Sequence, residues 1–291
     1  MAHYICTTCG TQYAEGDSPP PSCAVCGHER RYLGWDGQEW TTLAEMSAKG
    51  YRSEIRPLEP GLIGIGLEPP FAVGQRALLV RAQMGNVLWD PISFVDERVV
   101  DQICTLGGIE AISASHPHFY SSMVEWSHTF DDAPIFIPRA DRMWVMRPDP
   151  AIRFYEGNLV LFPGVTLIQC GGHFPGSSVL HWAEGADDRG VLLTGDTIMA
   201  AQDGRSVSFM RSFPNLVPLP ASAVARIVES VRPYRFHRIY GGWWGRTVAD
   251  GAKEILERSA TRYMRAVRRY GGQGKGTDRV SEVWAAQPRT S

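Results

Sequence analysis

Three short stretches of this 291-residue chain carry side chains able to hold and use a metal ion. Ser115-His116-Pro117-His118 sets two imidazoles one residue apart. On an extended backbone the side chains at i and i+2 share a face, and a proline steers the residue before it away from helical angles. The pair therefore reads as a preformed two-nitrogen claw. Gly171-Gly172-His173-Phe174-Pro175-Gly176 and Leu193-Thr194-Gly195-Asp196-Thr197 each place one further candidate ligand in a glycine-containing turn. Both follow apolar, β-branched runs, 165–168 and 191–193, that read as buried strands. Three imidazoles around a metal with an open position lower the pKa of a bound water to about 7 and polarise a carbonyl or phosphoryl oxygen. Hydrolysis is the chemistry such a centre favours.

A second set lies at the front of the chain. Cys6-Thr7-Thr8-Cys9-Gly10 and Cys23-Ala24-Val25-Cys26-Gly27 are two C-x2-C knuckles joined by the polar, proline-rich stretch from Ala14 to Ser22. Four thiolates at this spacing suit a closed tetrahedral zinc site that stabilises a segment too short for a core of its own. The knuckles also resemble a shortened rubredoxin, which implies iron and a redox role as the alternative; the short stretch between the pairs favours zinc. His28 adjoins a shell already complete and reads as a surface residue. Cys104 and Cys170 lie in apolar segments, so no disulfide framework is expected.

Taken in order, the H-x-H, the G-G-H-x-P-G and the T-G-D, each after a strand, resemble the metallo-β-lactamase-fold superfamily over roughly residues 60–250. The resemblance implies an α/β fold, a four-layer αββα sandwich with metal ligands at strand ends along one edge. It implies a first metal position made by His116, His118 and His173 with Asp196 beside them. The usual motif continues H-x-H-x-D-H, whereas this chain continues Phe119-Tyr120-Ser121, and Ile239-Tyr240-Gly241-Gly242-Trp243-Trp244 stands where a further histidine belongs. The residues missing are those of a second metal position, so one ion, zinc or iron, is expected. Asp196 either binds it or orients its water. Tyr120 either donates to a developing oxyanion or is a buried aromatic beside the site. Trp243 and Trp244 would narrow the entrance, and Arg246 would either meet an anionic group or be structural.

Two rival functions accompany the hydrolase. Iron-dependent sulfur dioxygenases of this superfamily hold one iron through the equivalents of His116, His173 and Asp196, a set suited to iron and O2, although those relatives keep the D-H absent here. The other is a non-catalytic binding protein with a degenerate site.

The remaining sequence must position these groups. Residues 1–45 read as a zinc ribbon, with Trp35, Trp40 and Leu43 docking it on a larger domain, residues 46–291. Strands are predicted at 61–66 with 71–73, a hairpin at 76–81 and 85–89 closed by Asp90-Pro91, and strands at 109–113, 133–138, 159–162 and 178–182. Helices are predicted at 96–106, at 121–130 with Ser121 or Ser122 as cap, around 224–231, and from about 249 to 270 with Arg262, Arg265, Arg268 and Arg269 at its basic end. His128, His181 and His237 read as ordinary polar residues. The aperiodic stretch 200–220 reads as a lid or binding loop, with Phe209, Met210 and Phe213 as candidate substrate contacts. The tail after Gly271 reads as disordered. A hydrophobic share of 44% supports a sizeable core, and a net charge of −2 gives no reason to expect nucleic-acid or membrane partners. The start lacks a leader pattern and no apolar run reaches spanning length, so a cytoplasmic location and a small-molecule substrate are expected, with oligomeric state open.

Overall fold

The structure, a computed structural model, describes residues 1–28 and 37–271. Trp35 and the tail beyond Gly271 lie outside the described residues, as do the side chains of residues 269–271.

The front of the chain forms a three-stranded antiparallel sheet, β1 (Ala2–Cys6), β2 (Gln12–Gly16) and β3 (Trp40–Thr41), followed by α1 (Leu43–Ala48). Thr42 caps α1 in a capping box with Glu45, which satisfies two amide donors at the helix start.

Two larger sheets follow. The first runs in the order β10-β9-β8-β7-β6-β5-β4, from β4 (Arg52–Glu59), β5 (Leu62–Glu68), β6 (Ala77–Ala82), β7 (Gly85–Trp89), β8 (Ala111–Ser113), β9 (Ile135–Pro138) and β10 (Ile152–Tyr155). The second runs β11-β12-β13-β14-β19-β20, from β11 (Leu159–Phe162), β12 (Val165–Gln169), β13 (Ser178–Trp182), β14 (Val191–Leu193), β19 (Arg238–Tyr240) and β20 (Thr247–Val248). Between β14 and β19 lie two small ladders, β15 (Met199–Ala200) with β16 (Val207–Ser208) and β17 (Met210–Ser212) with β18 (Val217–Pro218).

Strand periodicity decides the layering. On β6, Leu78 and Val80 face Leu167, Leu180, Trp182 and Leu193 of the second sheet, while Ala77 and Leu79 face the other way. That outer face is covered by α2 (Glu97–Thr105) through Val99 and Ile103 and by α3 (Met123–Thr129) through Met123, Val124 and Trp126. The second sheet, in which the short α4 (Gly185–Asp188) joins β13 to β14, alternates likewise: Ile168, Val179, Leu192 and Ile239 face α5 (Ala221–Val231) and α6 (Ala252–Gly271). The central strands β7, β13 and β14 are buried along their whole apolar stretches because they are covered on both faces. The result is the four-layer αββα order.

Four local expectations need correction. The first strand pair is β4 with β5, and residues 71–73 form no strand. Pro57 lies inside β4, an edge strand where a missing N–H breaks no ladder on the open side. His116 is extended, with φ −170° and ψ 168°, but Pro117–Phe119 is a 3-10 turn, because proline's fixed φ suits a first helical position. The two imidazoles therefore converge across a strand-to-turn corner and do not share a strand face. Ser122 does stand at the N-cap of α3, but its side chain makes no cap hydrogen bond: its Oγ donates to Ser93 O at 2.9 Å, and Ser121 before it has φ 42°. Finally, Phe209 from the expected lid is fully buried against α5 and α6.

Among the described residues no helix is long and apolar enough to cross a membrane.

Candidate metal centres

All four histidine-site residues sit just beyond strand ends. His116 and His118 follow β8, His173 follows β12 and Asp196 follows β14. Because β12 and β14 each pair antiparallel with β13, they run the same way and deliver their loops to one edge. The ligand atoms of His116, His118, His173 and Asp196 all lie within 4.8 Å of one another, and all four residues are buried. Asp196 Oδ2 lies 3.4 Å from His116 Nε2 and 3.6 Å from His173 Nε2. A tetrahedral ion with bonds of about 2.0–2.1 Å separates its ligand atoms by about 3.3–3.4 Å, so the donor set fits one ion.

The groups behind the ligands orient them. His116 Nδ1 is 2.9 Å from Ser115 Oγ and His173 Nδ1 is 2.8 Å from Met210 O. Metal binding through Nε2 puts the proton on Nδ1, where both contacts can accept it. The Ser115 amide donates to Asp90 Oδ1 at 2.6 Å. Burial pushes the Asp90 carboxyl up to about 8, opposed by that amide. Gly195 has φ 49°, and a Cβ there would lie 2.1 Å from Ser115 Oγ. The glycine of T-G-D thus permits the close approach of the β14 and β8 loops. Phe174, 1% exposed, is packed on all three imidazoles, with ring centroids 5.0 Å from His118, 5.3 Å from His173 and 6.0 Å from His116.

The site borders an open cleft of about 620 Å³ lined by Met199, Gln202, Phe213, Trp243, Trp244 and Arg246. Phe213 links cleft to site, its ring 5.9 Å from His173. Trp243, in place of the expected histidine, donates to Val73 O at 2.8 Å and packs edge-on to Phe119. Trp244 lies on β5, so close that a Cβ on Gly64 would sit 2.7 Å from its ring, with the Arg56 and Arg76 guanidinium groups 4.4 and 5.0 Å from its centroid. Arg76 is buried, which lowers its pKa to about 10.

Tyr120 is 2% exposed, and its hydroxyl has no hydrogen-bond partner among the described residues. It lines a cavity of about 10 Å³ with Thr11, Gln12 and Trp144, at the junction with the front sheet. That placement favours the buried aromatic over the oxyanion donor.

The second cluster is the four cysteines. Cys6 and Cys26 sulfurs are 3.7 Å apart, as are those of Cys9 and Cys23. Zinc–sulfur bonds of about 2.3 Å give tetrahedral corners about 3.8 Å apart, so this set also fits one ion. Gln38 Nε2 donates to Cys6 Sγ at 3.2 Å and Tyr13 OH to Cys23 Sγ at 3.4 Å. Hydrogen bonds with Cys23, then with Cys26 and Cys9, pull Cys6 well below the ordinary thiol range, and contacts with Cys23, Cys26 and Cys6, with burial, push Cys9 up. Four crowded sulfurs can all be thiolates only around a cation.

Asp90, Ser115, Phe174 and the Met210 carbonyl were missed in the sequence, where Asp90 reads as a turn residue. Aspartate at a strand end before proline was the available signal for it. His28, expected at the surface, is half-buried with its ring edge-on to Trp144 at 5.1 Å. His181 is buried in β13, with Nε2 2.8 Å from Arg235 O.

No protein-family model matches the chain. YmaE, an uncharacterised protein of Bacillus subtilis (strain 168), is 48% identical over 269 residues, which is 92% of this chain and 97% of that protein. The chain belongs to the family of YmaE. Among solved structures, VMB-1 superposes with a TM-score of 0.56 at 12% identity, over 74% of this chain and 98% of its own. DIM-1 metallo-β-lactamase gives 0.54 at 12% identity, over 74% and 98%. This YmaE relative therefore has the metallo-β-lactamase fold, as its motifs led one to expect, with a four-cysteine cluster at the front.

Proposed function

We propose that this chain is a metal-dependent hydrolase of a small ester-, lactone- or amide-like substrate, working with one ion at the histidine site and a structural zinc at the cysteines. The observation that carries the reading is the convergence of His116, His118, His173 and Asp196 on one point beside an open cleft. When bound there, the ion supplies an activated water and a Lewis acid. The chain's own residues do the rest. Ser115 and the Met210 carbonyl fix the imidazole tautomers, and Asp196 either completes the shell or holds the water. Phe213, Trp243 and Trp244 offer flat apolar walls to the substrate, with Arg246 at the rim for an anionic group.

One observation supports a second reading. Asp196 Oδ2 lies within 4 Å of His116 and His173 Nε2, a two-histidine, one-carboxylate set suited to iron and O2.

Elemental analysis with a panel of esters, lactones, β-lactams, phosphodiesters, thioesters and persulfides, on wild type and His118→Ala, separates the two. The hydrolase loses metal occupancy and turnover together in His118→Ala. Retained iron with persulfide-dependent oxygen uptake in that variant selects the dioxygenase. Metal bound without turnover on any substrate sinks both and leaves a binding protein.

A further inference from the structure

The cysteine cluster and the histidine cluster share one hydrophobic core. Cys9, Cys23 and Cys26 pack in the same cluster as Phe119, Tyr120 and Phe174. The second knuckle is held locally by the Gly27 amide, which donates to Cys23 O at 2.8 Å. The next residue, His28, reaches the large sandwich. Its ring meets Trp144 edge-on at 5.1 Å and lies 6.5 Å from Phe174, tilted by 37°. Trp144 and Phe174 are themselves in edge contact at 5.7 Å, and Phe174 is the ring that all three metal-site imidazoles touch. A second seam runs alongside. The Gln12 amide donates to Ser121 O at 3.1 Å, three residues past His118, and Ser93 Oγ donates to Gly10 O at 3.0 Å.

We infer that the two metal sites are energetically coupled through His28: metal on the four sulfurs fixes the knuckle, the knuckle seats His28 on Trp144 and Phe174, and that seating braces the three imidazoles for their own ion. A close-packed interior transmits a displacement of one ring to its neighbours, and beyond its ion the second knuckle is tied to the front sheet by only a few hydrogen bonds, Cys23 N–H to Gln38 Oε1 and Ala24 N–H to Tyr13 OH among them. His28 is thus a positioning residue that acts through Phe174. Linkage makes the effect reciprocal: filling the histidine site strengthens metal retention by the cysteines by the same factor.

The test uses the full chain with the cysteine site loaded with zinc and the histidine site titrated with cobalt(II), followed by visible absorption. Hydrogen exchange of residues 115–123 and 172–177 is measured before cobalt is added. His28→Ala is expected to weaken cobalt binding by about tenfold, within the usual span of coupling factors, and to speed exchange in both segments with cysteine-site zinc unchanged. His28→Phe is expected to restore affinity to within about threefold, since a ring of similar width supplies the same edge contacts. Cys26→Ser should weaken cobalt binding at least as much as His28→Ala; should that variant fail to fold, the two His28 variants decide. Equal affinity and exchange in wild type and His28→Ala overturn the coupling, as does a loss that His28→Phe leaves unrepaired. Because the readouts are metal affinity and exchange, a chain that binds cobalt yet hydrolyses nothing fails the proposed function and leaves this test intact.

Discussion

The two metal clusters solve the same problem in opposite ways. The four sulfurs come from two knuckles within 21 residues of one another, and their cysteines are at most 2% exposed. One ion would use every donor there, which suits a site that holds the backbone together. The histidine site draws its ligands from three loops spread from His116 to Asp196, and it borders a cleft. Groups behind the ligands, Ser115 Oγ at His116 and the Met210 carbonyl at His173, hold them from the protein side, as a site that receives its ion into a standing fold requires. On the proposed function, the cysteine site makes structure and the histidine site uses it.

Cys23→Ser sharpens that contrast most. It should cost the front sheet its ion and its fold, since zinc binding to such peptides is worth on the order of 10 kcal/mol. Metal content should fall by one per chain, and residues 2–16 should exchange freely while the strands of the two large sheets stay protected. Protection retained at residues 2–16 would break the comparison.

His173→Ala is the converse. Histidine-site affinity should fall by more than about 100-fold, beyond the effect of losing a partner behind a ligand, with thermal stability little changed and cysteine-site metal retention weakened by no more than the roughly tenfold coupling factor. Unfolding of the sandwich on losing this ligand would mean that the histidine site also makes structure.

Ser115→Ala removes the contact behind His116 and leaves all four ligands. Affinity should fall by about 10- to 100-fold, measured by the same cobalt titration. A value equal to wild type would remove Ser115 from the orienting set.

The smallest effect concerns pH. Burial lowers the His181 pKa from its ordinary 6.5, with the Arg235 carbonyl opposing. The folded chain therefore keeps this ring neutral where the unfolded chain protonates it. Its contribution to stability is complete above about pH 6.5 and is lost as pH falls below that. His181→Gln keeps a donor for Arg235 O and should flatten the decline of melting temperature between pH 7 and pH 5. An unchanged slope would assign the acid sensitivity to other groups.

What the sequence by itself determined is local. The C-x2-C spacing defines the cysteine cluster because its four donors are neighbours along the chain. The alternation of apolar runs defines strands, and H-P-H, G-G-H and T-G-D mark their ends as ligand-bearing. Asp90, Ser115 and Phe174 escaped notice because their roles depend on β7, β8 and the β12 loop meeting, and no residue spacing records that meeting. The shape of the H-P-H corner was misjudged for a similar reason: proline permits both an extended strand and the start of a turn, and the packing of Phe119 and Tyr120 into the core goes with the turn. Tertiary structure alone decided that Tyr120 faces the front sheet, that Phe209 belongs to the core, and that His28 reaches Phe174. A side chain's neighbours across a packed interface are set by the sum of all layers, and that sum exists only once the sandwich has closed.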